Sequence, residues 1–478
     1  MGRFIPFVAL ACWFACAPRP VPVAAPRIAP EVLATRLAEA DRLAARGCYL
    51  CLKEAAAAYS SLLTESDDGR VLVRALENSL MLVMREIELR IPDSGAREAA
   101  AQLQARVPAS YAAYFTALDL QATPLVFGDS PETFRAQREE RLKFVAGLET
   151  DLAGSAMKTY FFIAHAIQLR EFKELKSILP GLLEAHPGDL SLKYQMLAYQ
   201  PMYSADGARN LIGQETGFGE VHLLIGQRAV LSGDIAAAYR ELTRARELLP
   251  DSVSVALALA NATFSYARYA DALALFDRIL ASPASQGVEM PVRLGRAKSL
   301  SYLKRHDEAI AQLIELLQND PSNTPGEKYY WRAWNQLQLG RAQLAYDDAI
   351  AGLNAMRNDA IYRLAGMASF SLNRLGESRD FFEHALEMNR ADCDSQRYLG
   401  LLDSAERSWT PASGRFTLAA SCYEDVIAQM QKQLAEYEKD ITGLSNGLIA
   451  AKRLEIKEAG ALRDQSVLNA AAAARNLK

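Results

Sequence analysis

Histidine is scarce in this chain, with five in 478 residues. His165, His186, His222, His306 and His384 stand singly, so no helical pair is available to hold a metal ion. Cysteine is limited to six residues, and these form no four-ligand zinc pattern. Positive charge is not in excess: 53 Lys and Arg against 57 Asp and Glu give a net charge of -4. That leaves no basic stripe for phosphates and excludes nucleic acid as an expected partner. No apolar run approaches the roughly 20 residues of a membrane span. Also missing are the Gly-x-Ser-x-Gly elbow, His-Glu-x-x-His, the Gly-x4-Gly-Lys phosphate loop and the Rossmann fingerprint. The glycines between Gly213 and Gly219 are in the wrong order for a dinucleotide loop and read as a connection between helices. Asp67-Asp68 and Asp347-Asp348 read as solvated acids at helix ends. The expectation is a protein with no catalytic residues, no cofactor and no metal.

Apolar residues make up 50% and charged residues 23%, enough to build a sizeable helical core. The first sixteen residues stand apart. Met1-Gly2-Arg3 is a short basic start, and Phe4 to Ala15 is almost wholly apolar, the pattern of an export leader. It ends on Ala15-Cys16 and so resembles a bacterial lipoprotein signal, in which the cysteine becomes the lipidated first residue. Trp13-Phe14 departs from the usual aliphatic and small residues, and ordinary cleavage of an export signal is the alternative. Residues 17–30 carry five prolines and read as an extended tether holding the body off a membrane.

From Glu31 the apolar residues recur at three- and four-residue spacing, interrupted at Gly47, near Ser66 to Gly69, and at Ile91-Pro92-Asp93. The clearest order lies between Asp359 and Val426, where two successive segments of 34 residues match. Gly366 and Gly400 share the eighth slot, Phe382 and Phe416 the twenty-fourth, and Ala385 and Ala419 the twenty-seventh. Upstream, Gly226, Ala238, Ala245 and Pro250 repeat the scheme, followed by Ala260, Ala272 and Phe276, then Ala297, Ala309 and Pro321, then Ala333 and Ala345. This period resembles the tetratricopeptide repeat (TPR), in which each unit is a helical hairpin that must stack on its neighbours. The resemblance implies an all-α fold: a right-handed α-solenoid of TPR-like hairpins with a C-terminal helical cap. The chain then divides into a leader at 1–16, a tether at 17–30, diverged hairpins over 31–218, six repeats over 219–426, and a heptad-patterned hairpin over 427–478.

In that last segment Ile427, Met430, Leu434, Tyr437, Ile441, Leu444, Leu448 and Ala451 form a heptad seam. Two glycines at 443 and 447 predict a break and a returning antiparallel helix, so that the seam packs within the chain. A coiled coil between chains is the alternative.

Cys393 and Cys422 occupy the first and thirtieth slots of one repeat. In an antiparallel hairpin those slots face each other, which predicts a disulfide. Cys48 and Cys51 lack the strand context of a redox motif and the histidine of a haem site, and read as a second disulfide or as two buried thiols at a hairpin corner. The resemblance further implies that a partner protein or peptide lies along the concave face of the first helices. The corresponding slots hold Gln227, Asn261, Phe264, Lys298, Tyr302, Tyr330, Trp334, Arg363 and Arg397. Leu257 stands where the carboxylate clamp of chaperone-binding members has lysine, so that ligand class is not expected. Tyr330 and Trp334, one turn apart, read either as an aromatic anchor or as packing between repeats. The expected role is a non-catalytic binding or assembly scaffold of the cell envelope, exported and lipid-anchored through Cys16. A groove accessory for a small ligand or glycan, and an oligomer joined by the C-terminal helices, are the alternatives.

Overall fold

The computed structural model describes residues 28–123, 131–149, 157–169, 189–199, 215–319, 325–439 and 445–477, with isolated positions between them. The expected leader, Cys16 and nearly all of the tether lie outside the described residues. Among the described residues there are twenty-one α-helices and no strand, so the fold is an all-α solenoid.

The N-terminal part holds α1 (Pro30–Arg46), α2 (Tyr49–Glu65), α3 (Gly69–Leu89), α4 (Ala96–Gln104), α5 (Ala112–Ala122), α6 (Pro131–Ala146), α7 (Met157–Gln168) and α8 (Leu190–Tyr199). Gly47 ends α1 in the left-handed region at φ 70°. A Cβ there would lie 2.5 Å from that of Ser191, so glycine answers both demands. Arg85 of α3 is fully buried and ties this part together. It pairs with Glu88 at 2.8 Å and Glu220 at 3.4 Å and donates to the Gly47 carbonyl and Ser191 Oγ. The Tyr160 and Tyr194 rings lie 5.2 and 4.7 Å from the guanidinium. Such a group is costly to bury and persists because two carboxylates offset its charge and its two terminal nitrogens have acceptors, although Nε makes no hydrogen bond among the described residues.

Six regular hairpins follow: α9 (Gly219–Ser232) with α10 (Ile235–Leu248), α11 (Val253–Ser265) with α12 (Tyr269–Leu280), and α13 (Glu289–Tyr302) with α14 (His306–Asn319). Next come α15 (Gly326–Gln338) with α16 (Ala342–Ala355), α17 (Asp359–Ser371) with α18 (Leu375–Met388), and α19 (Cys393–Ala405) with α20 (Trp409–Tyr437). The periodic small residues sit where two helices of one hairpin meet. A Cβ on Gly226 would lie 2.5 Å from Leu242, and one on Gly400 would lie 2.9 Å from the Phe416 ring. Polar caps start several helices: Asp234 accepts from Ala237 N, Ser252 from Val255 N and Asn358 from Ile361 N. The N-terminal part also docks on this array. Ser252 Oγ donates to the Leu89 carbonyl at 2.6 Å, and Val253 N to the Arg90 carbonyl at 3.2 Å.

The last hairpin differs from the expected division at Val426, because α20 runs through that position without interruption. Between Pro411 and Gly443 only Gly414 disfavours helix, and it is tolerated near the start of α20. α21 (Asn446–Arg475) then returns antiparallel along α20. Arg453 bridges Glu438 at 2.7 Å, and Ile427, Ile456, Ala459 and Leu462 share one apolar cluster. The described part of the seam is therefore packed within the chain; Ile441 and Leu444 lie outside the described residues.

Candidate functional site

First helices of successive hairpins touch one another, α9 on α11 through to α17 on α19, while the second helices approach one another less closely. The array thus curves with its first helices inside, and the groove is the face they present.

Along this face runs a chain of aromatic rings. Phe264 meets Tyr269 and Tyr302 edge-on at 5.3 and 5.6 Å, and Tyr269 stacks on Tyr302 at 4.4 Å. Tyr302 reaches Trp331 at 5.7 Å and Trp334 at 6.4 Å, and Tyr330 meets Trp331 at 5.4 Å. Tyr302 is 46% exposed. Burial first, then Tyr302 and the Glu455 carboxylate, push the Tyr269 hydroxyl up to about 12. An aromatic strip of this sort offers large, rigid contact area at little entropic cost. Beneath it, buried Asn335 locks two hairpins: Nδ2 donates to Ser301 Oγ at 2.8 Å, and Oδ1 lies 2.8 Å from His306 Nδ1.

The groove positions read from the sequence divide by chemistry. Tyr302, Tyr330 and Trp334 join the aromatic run, although Tyr330 and Trp334 also pack on Ala333 and Leu364 between hairpins. Asn261 and Gln227 are exposed. The cations are engaged within the protein. Lys298 pairs with Glu327, and Arg363 with buried Asp392 at 3.1 Å. Arg397 lies 3.9 Å from Asp394 and 4.4 Å from the Tyr398 ring centre. Burial opposes the Arg363 charge, but Asp392 and Asp394 outweigh it and hold its pKa above the ordinary value. Sequence reasoning missed Tyr269 and Trp331. Tyr269 opens a second helix, away from the slots that line a TPR groove, whereas Trp331 stands three residues before Trp334 and could have been found by helical spacing.

Both cysteine pairs are disulfides. Cys393 and Cys422 have Cα atoms 5.4 Å apart, and Cys48 and Cys51 5.0 Å. Cys48 also caps α2, its sulfur accepting from Cys51 N at 3.0 Å. Glu215 lies beside the Cys48 and Cys51 sulfurs. It is bonded to Arg46 and to Gly217 N, and bridged sulfurs are not thiolate ligands.

A second concavity of about 840 Å³ lies between the N-terminal helices and the repeats, lined by Glu88, Arg90, Gln121, Gln168, Tyr194 and Gln195 among others. No described helix is long and apolar enough to cross a membrane.

No protein-family model and no curated protein matches the chain. Among solved structures it is similar to the APC/C hetero-tetramer Cut9-Hcn1, with 14% identity and a TM-score of 0.42 over 91% of this chain and 96% of that one. It is also similar to MamA 41-end from Desulfovibrio magneticus RS-1, with 16% identity and a TM-score of 0.25 over 43% of this chain and 96% of that one. The all-α solenoid is evident from the helices themselves, and neither likeness bears on partner or role.

Proposed function

We propose that the protein is a non-catalytic scaffold that binds a protein or peptide along its concave face. The observation that carries this reading is the aromatic run from Phe264 to Trp334, which crosses three successive hairpins and leaves Tyr302 open to solvent. Large apolar side chains held rigidly on a curved surface are what a peptide-binding groove requires. Capture from an envelope fraction, by the wild type and by a Tyr269→Ala/Tyr302→Ala variant, tests it. The wild type retains a partner that the variant loses; equal capture by both rejects the groove as the binding face.

The place of action follows from the leader. Phe4 to Ala15, Cys16 and the proline-rich residues after it support export with lipid attachment at Cys16, and two disulfides fit an oxidising compartment. Metabolic labelling with a radioactive fatty acid distinguishes the cases: label lost in Cys16→Ser supports the anchor, and an unlabelled wild type rejects it. Packing of the heptad seam between α20 and α21 favours a monomer.

The 840 Å³ concavity supports a second reading, a small polar ligand held among Glu88, Arg90 and Gln168. A thermal shift with amino sugars or amino acids, abolished by Gln168→Leu, would favour it.

A further inference from the structure

The groove already holds part of the chain itself. α21 begins against the α11–α12 turn: a Cβ on Gly447 would lie 2.6 Å from the Tyr266 carbonyl oxygen and 3.2 Å from Arg268 Cγ. Two turns on, Glu455 is paired with Lys452 of the same helix at 2.7 Å, and its carboxylate adds, after burial and their aromatic neighbours, to the upward shift of the Tyr269 and Tyr302 hydroxyls. Farther along, Glu455, Glu458 and Ala459 face Arg363 and Asp392 across a cavity of about 320 Å³ that also reaches Tyr423. The helix ends with Ala470 and Ala473 on Ala412, Phe416 and Trp409, where Ser413 Oγ donates to the Ala470 carbonyl at 3.3 Å. Its 30 residues amount to about 45 Å of helix, so α21 reaches from the last hairpin back to the second.

Two features of this contact are informative. Small residues stand where α21 meets the array: Gly447 at the turn, then Ala459, Ala470 and Ala473. The two halves are also held differently. The C-terminal half packs Ala470 and Ala473 on the first turns of α20. The N-terminal half is held to α20 by Ile456, Ala459 and the Arg453–Glu438 pair, but meets the groove only through the Gly447 edge and an unfilled cavity between Glu455 and Arg363, so its groove side is the weaker of its two contacts.

We propose that the groove recognises an amphipathic α-helix with a small-residue contact face and a carboxylate at the position of Glu455, and that α21 is its resident occupant. A partner protein's helix of that character displaces the first half of α21 and takes its place on Tyr269 and Tyr302. This rests on the scaffold reading above and names the partner's chemistry. Helix-in-groove recognition gains from rings already ordered by one another, because little rotamer entropy is lost on binding.

The test uses the full chain and, as probe, a fluorescent synthetic peptide of residues 446–464. Gly447→Leu cannot sit against Tyr266 and frees the first half of α21. It binds the peptide at least ten-fold more tightly than the wild type, in which α21 already lies over the groove. Adding Tyr269→Ala and Tyr302→Ala removes that binding. Ile456→Asp, which weakens the same half from the α20 side, gives the same gain and covers a folding failure of Gly447→Leu, judged by circular dichroism. Equal affinity of the wild type and both folded variants overturns the proposal, as does peptide binding that survives loss of both tyrosines. If no variant takes the peptide while a protein is still captured through Tyr302, the helix proposal fails and the scaffold reading stands. If the freed variants take the peptide but no protein is captured, the groove's preference for such a helix stands and the scaffold reading fails.

Discussion

Gly366 lies so close beneath Phe382 that a Cβ on the glycine would come within 2.8 Å of the ring. The ring in turn is fully buried between the two helices of its hairpin. Gly366→Val therefore forces the helices apart and lowers stability by about 1–3 kcal/mol. Gly414, in α20, has nothing within 4 Å of a built Cβ, and Gly414→Ala raises stability by about 0.5–1 kcal/mol. Urea denaturation of the two variants should show shifts of opposite sign.

The hairpin turns share one left-handed residue: Gly233, Ala267, Lys304, Gly340, Asn373 and Arg407, with φ between 57° and 77°. A side chain costs energy in this region, and glycine does not. Lys304→Gly at its exposed turn is expected to leave stability unchanged or raise it by up to about 1 kcal/mol. The same change at Lys298, inside a helix, lowers it; thermal melts compare the two.

The Cys393–Cys422 bridge closes a loop of sequence separation 29, which restricts the unfolded chain by about 3–4 kcal/mol on the chain-entropy account. Cys393→Ser/Cys422→Ser should lose stability on that scale. Reductant should then shift the wild type much more than the double variant, in parallel urea titrations.

His165 is fully buried. Burial first, and Arg141 second, lower its pKa from 6.5 to about 4. The folded state therefore resists the proton that the unfolded chain accepts. The resulting stability is complete above pH 6.5 and is lost as the pH falls towards 4, by about 3 kcal/mol at most. His165→Leu should flatten this part of the curve. Urea midpoints at pH 7.0, 5.5 and 4.5 measure the difference.

Legibility in the sequence followed the range of the interaction. The 34-residue period was readable because a glycine in slot eight faces a large residue sixteen positions later, as Gly226 faces Leu242, Gly366 faces Phe382 and Gly400 faces Phe416. The return of α21 was readable from Gly443 and Gly447. The turns were not, since four of the six left-handed residues are not glycine. Arg85 was invisible because its partners Ser191 and Glu220 lie more than a hundred residues away and share no period with it. The groove was half legible. Its aromatic residues Tyr302 and Trp334 follow the repeat slots, but those slots do not reveal that Glu327, Asp392 and Asp394 engage Lys298, Arg363 and Arg397. Nor do they show that α21 lies across the same face.

Site-specific photocrosslinking in cells tests the binding groove most directly, with a photoreactive phenylalanine at Tyr302 on the groove and at Leu418, which is 56% exposed on a second helix. A discrete protein adduct is expected from position 302, absent from position 418 and lost with Tyr269→Ala. No adduct at 302, or the same adduct from both positions, would contradict a groove centred on the stacked Tyr269 and Tyr302 rings.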